Sequence, residues 1–65
     1  MWVEFMTVAN AYVAETWREL FAAEGLSVRV VPPIGQGEDV AMLTPRTLYV
    51  PSGKAHVARE ILRKI

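Results

Sequence analysis

Sixty-five residues make room for one domain, and a domain this small buries only about 60% of the surface its unfolded chain exposes, so a partner surface is a natural source of added stability. Seven Lys and Arg against seven Asp and Glu leave no net positive field to draw the chain to nucleic acid or anionic lipid. The lack of cysteine excludes a disulfide framework, a thiolate metal site and a Cys nucleophile together, and suits a reducing cytosol. The apolar N-terminal run "MWVEFMTVANAYVAETW" has no basic leader and is interrupted by Glu4 and Glu15; no segment approaches the roughly 20 apolar residues that span a bilayer. The expectation is a soluble, complete cytoplasmic domain without repeats or linkers.

In chain order, "WVEFMT" from Trp2 to Thr7 has the β-branched and aromatic content of a strand, with Val3 and Phe5 on one face and Trp2, Glu4 and Met6 on the other. The period then becomes helical. Asn10 is placed as an N-cap, and Val13, Ala14, Trp17, Leu20 and Phe21 form one apolar stripe, with Glu15, Arg18 and Glu19 on the wet side. Gly25 stands where a left-handed residue stops the helix. "LSVRVV", Leu26 to Val31, is predicted as the second strand, with Val28 and Val30 opposite Arg29 and Val31. Pro32-Pro33 ends it, because neither proline can donate to a ladder.

"PPIGQGEDVAMLTP" reads as a loop. From Arg46 to Val50 a third strand turns Leu48 and Val50 inward and Thr47 and Tyr49 outward; Pro51 closes it, and Ser52 is placed as a cap. Val57, Ala58, Ile61, Leu62 and Ile65 make the apolar face of a last helix. Two helices with single stripes must cover one side of a sheet, and a right-handed crossover from the first strand to the second leaves room for the third between them. The predicted fold is α+β: a truncated ferredoxin-like βαββα unit with a three-stranded antiparallel sheet of order 1-3-2 and both helices on one face. The missing last strand leaves the first strand as an open edge.

The runs "AETWRELFAAEGLSVRV" and "PRTLYVPSGKAHVAREIL" carry a family resemblance. Ala14, the Leu20-Phe21 pair, Ala23-Glu24-Gly25-Leu26 and Val50-Pro51 fill the pattern of the small bacterial domains of unknown function labelled signal-transducing proteins, over nearly the whole chain. Phe21 and Trp17 are bulkier than the leucines usual there. The resemblance implies a fold similar to that of the nitrogen-regulatory signal-transduction proteins, in which long loops make partner contacts. It brings no catalytic residues, since every matching position is structural.

Chemistry-bearing motifs are sparse. Gly53-Lys54 resembles the end of a phosphate-binding loop, but Leu48 stands where the first glycine is needed and Ala55 where the magnesium-binding hydroxyl is needed. What remains is a helix start with Ser52, Gly53 and Lys54, a generic anion site. Gly35 and Gly37 let backbone approach an anion, and Glu38-Asp39 offer carboxylates, so a small-ligand sensor built on the 33–39 loop and the 52–54 corner is the rival reading. His56, with Glu60 at i+4, reads as a surface residue. No nucleophile-base pair, cofactor motif or metal cluster can be named, so an enzyme is not expected.

The far side of the sheet is the more informative feature. Trp2, Glu4, Met6, Arg29, Val31, Thr47 and Tyr49 are predicted to point away from the helices, and so apolar a face marks an interaction surface. A homodimer through this face or through the first-strand edge is the leading expectation, and docking of another protein is the next. Base stacking on Trp2 and Tyr49 is disfavoured by zero net charge and by the absence of an RNA-recognition signature from "RTLYV".

Overall fold

The computed structural model describes residues 1–32 and 43–65. Its elements run β1 (Trp2–Val8), α1 (Ala11–Ala23), β2 (Arg29–Val31), β3 (Arg46–Pro51), a single 3-10 turn (Ser52–Lys54) and α2 (Ala55–Arg63). The sheet is antiparallel with β3 in the middle, in the order β1-β3-β2, and the two helices share its inner side. This is the expected mixed α+β unit.

Local signals explain the ends of α1. The Asn10 side chain accepts from the Val13 amide at 3.0 Å, satisfying one of the first-turn donors that have no intrahelical partner. At the other end Gly25 adopts φ +86°, its N–H donates to Ala22, and the Leu26 N–H reaches back to Phe21, both at 2.9 Å. This is a Schellman stop, and Leu26 and Phe21 share one buried cluster, the apolar contact that accompanies it. Gly25→Ala is expected to cost about 1–2 kcal/mol in urea unfolding. A Cβ there meets nothing within 4 Å, so the cost comes from backbone conformation alone; an unshifted midpoint contradicts it.

The core forms two adjoining clusters under the helices. Phe21, Leu26, Val50, Ala58 and Ile61 are buried together, with Val3, Phe5, Trp17 and Leu20 against them; Val8, Ala14, Val30 and Leu48 form the second, with Met6 and Val28. Phe21 is edge-on to Phe5 at 6.0 Å and stacked on Trp17 at 5.8 Å between ring centroids. At the opposite end of α1, Ala11 and Ala14 are fully buried, and two such small side chains let the helix lie close to the sheet. Val13, predicted on the stripe, is instead 38% exposed, because the stripe is centred on Ala11, Ala14 and Phe21.

Several expectations need correction. β1 pairs in one register up to Glu4 and in another from Met6 onward, so a bulge falls at Phe5 and turns Phe5 and Met6 both toward the core. Met6 therefore leaves the bare face on which period-2 alternation had placed it. β2 is shorter than Leu26 to Val31, because Leu26 is used in the helix stop and pairing begins only at Arg29. Ser52 does not cap through its side chain; its N–H donates to the Met1 carbonyl at 2.8 Å. On α2, Ala58 and Ile61 are buried while Leu62 is exposed, and Ile65, predicted on the same apolar face, lies exposed beyond the end of the helix. Arg46, first residue of β3, is 1% exposed and faces inward.

Candidate interaction surface

Because β3 pairs on both sides, its register with β1 and β2 arranges the bare face into three cross-strand rows. Trp2 lies beside Pro51; Glu4, Tyr49 and Arg29 form the middle row; Thr7, Thr47 and Val31 form the third. Tyr49 is central and half-buried by its neighbours, Trp2 is 36% exposed and Val31 42%. Neither helix packs on this side, since the core residues of all three strands have the opposite pleat parity.

The face has its own internal contacts. Arg29 reaches diagonally so that its guanidinium carbon lies 4.6 Å from the Trp2 ring centroid, a cation–π arrangement that pins both side chains against the sheet. The Thr7 and Thr47 hydroxyls are 3.4 Å apart. Of the predicted surface residues, Trp2, Glu4, Arg29, Val31, Thr47 and Tyr49 are brought together here, and Thr7 and Pro51 join them. Both additions follow from cross-strand register, which no single segment displays.

The alternative ligand site is less well supported. At the corner, Ser52, Gly53 and Lys54 are exposed, and one of the backbone donors an anion would need, the Ser52 N–H, is already engaged by Met1. Gly35 and Gly37 lie outside the described residues. His56 is exposed, and its predicted neighbour Glu60 accepts from Arg63 at 3.1 Å. Among the described residues no group of three or more His, Cys, Asp and Glu is placed to hold a metal ion, no buried side-chain polar atom lacks a hydrogen bond, and no helix is long and apolar enough to cross a membrane.

An open cleft of about 390 Å³ lies where α1 ends, lined by Arg18, Ala22, Gly25, Leu26, Ser27 and Val28. Sequence reasoning missed it, for it is made by the reversal of the chain at Gly25. Its one charged lining group, Arg18, is bidentate to Glu15 one turn earlier. The Arg18 hydrogen bond holds the Glu15 carboxyl below its ordinary value, and Glu15 in return raises Arg18. A cleft whose cation is already paired offers little to an anionic ligand.

No protein-family model, curated protein or solved structure gives a significant match to the chain.

Proposed function

We propose that the chain is a small, non-catalytic interaction module that acts in regulation by associating with a second copy of itself through the bare side of its sheet. The observation that carries this reading is the row structure of that face: an indole, a phenol and a valine gathered on one side of a sheet that neither helix shelters. The resemblance to signal-transducing domains carried by Ala14, Leu20-Phe21, Ala23-Glu24-Gly25-Leu26 and Val50-Pro51 agrees with a regulatory role and supplies no chemistry that competes with it. Arg29 shares the middle row with Glu4, so the face is charge-balanced, which favours a protein surface over a phosphate backbone as its occupant.

Size sets the expected strength. Three strands about 4.8 Å apart and up to seven residues long at about 3.3 Å each give a footprint of roughly 300 Å² per copy, well below the ~800 Å² per partner of standard interfaces. Association is therefore expected to be weak, half-complete at about 10 µM to 1 mM. Sedimentation velocity across that range is expected to show a reversible monomer–dimer shift, and Trp2→Glu is expected to move it to higher concentration. A wild-type chain that stays monomeric throughout contradicts the proposal; an unaffected Trp2→Glu dimer removes the indole from the contact.

A further inference from the structure

Backbone register sets Arg29 in one row with Tyr49 and Glu4, yet its guanidinium leaves that row and lies across the central strand on the Trp2 ring, 4.6 Å from the centroid. Among the described residues it makes no ion pair with Glu4. Trp2 is only 36% exposed on a side where neither helix packs, and Tyr49, the partner of Arg29 on the central strand, is half-buried. Resting on the self-association just proposed, we infer that Arg29 is a built-in shield on the contact surface: two copies associate through the indole only when Arg29 lifts off it, so this one side chain holds the affinity down.

Facing sheets lie about 10 Å apart, and the gap is filled by interdigitated side chains from the two inner faces. In the free chain the guanidinium occupies ring surface that a partner side chain would need. Carrying it into the gap strips water from a cation that has no carboxylate paired with it, which is costly. Lifting it off gives up the cation–π contact and leaves the charge in water at the rim, the smaller of the two costs. A contact of this kind at an exposed site keeps the guanidinium on the ring roughly two to five times as often as off it. Both copies must release, and affinity falls with the competent fraction of each, so the shield weakens the dimer by about tenfold or more.

The position of Arg29 in the fold suits this role. It is the first residue of β2, an edge strand, and it is exposed, so its side chain can swing off the ring without disturbing either core cluster. An aromatic patch left open at all times invites indiscriminate association, and a charge laid over it suppresses the wrong contacts while leaving a reversible one within reach.

The test removes the cation and keeps a polar side chain. Arg29→Gln is expected to lower the dimer dissociation constant by about tenfold in sedimentation velocity, and Arg29→Lys, which keeps the charge but stacks less well, to fall between it and wild type. Circular dichroism establishes that each variant is folded. The motion itself is read in the wild-type chain by NMR, which needs no variant: the Arg29 side-chain protons should be shifted upfield by the indole ring current in dilute solution and move back as the dimer forms. A folded Arg29→Gln chain that dimerises no more tightly than wild type, or ring-current shifts that persist in the dimer, overturn the shield and leave self-association standing. Wild-type and Arg29→Gln chains that both stay monomeric up to about 1 mM overturn the self-association on which the inference rests.

Discussion

Phe21→Ala is expected to lower the free energy of unfolding by about 3–5 kcal/mol, the largest loss foreseen for any single change in this chain. The ring is fully buried, edge-on to Phe5 of β1 and stacked on Trp17 of its own helix. It shares a cluster with Val50 of β3 and with Ala58 and Ile61 of α2, so truncation opens a cavity where both helices and the sheet converge. Its backbone carbonyl also receives the Leu26 N–H in the helix stop, although that bond survives the change. A domain of this length is stabilised by only about 3–10 kcal/mol in total. The variant should therefore lose about a third of that stability or more, and be unfolded outright if the total lies at the lower end of the range, as circular dichroism and urea titration would show. A folded Phe21→Ala protein whose midpoint falls only slightly would mean that the two clusters do not depend on this ring.

Arg46→Ala should rank second, at about 2–4 kcal/mol. Arg46 is 1% exposed and donates to the Pro32 carbonyl at 2.9 Å and to the Thr44 carbonyl at 3.2 Å. These bonds tie the exit of β2 to the entry of β3, and β2 has only three residues paired to β3 with which to stay in place. Charge-assisted hydrogen bonds of this kind are worth more than neutral ones, and removing the donor leaves half-buried carbonyls unsatisfied. Arg46→Met, which keeps most of the stem, should recover the packing and not the hydrogen bonds, and so fall between Ala and wild type. Hydrogen exchange is the decisive readout: amides of Val30 and Val31 should lose protection in Arg46→Ala before those of β1. Equal loss across the sheet would make Arg46 a general stabiliser and not a clasp.

How much of this was foreseeable depends on the range over which each signal acts. The cap at Asn10, the stop at Gly25 and the inward parity of Leu48 and Val50 are set by residues a few positions away, and each is found where sequence alone had placed it. The strand order followed as well, because two single-striped helices and a right-handed crossover leave few arrangements. Arg46 was within reach, since the alternation that sends Leu48 inward sends Arg46 inward too, although arginine is seldom buried.

The chain on its own determined the element order, both ends of α1, the side of the sheet that is sheltered, and the absence of cysteine chemistry, for these depend on composition, backbone preference and periodicity. Tertiary structure decided the rest. The bulge that turns Met6 into the core arises from fitting β1 to β3, the burial of Arg46 requires the Pro32 carbonyl to be brought to it, and the contact of Arg29 with Trp2 crosses the central strand between the two edges. Each is a pairing of groups far apart along the chain, and no local preference encodes such a pairing before the sheet exists.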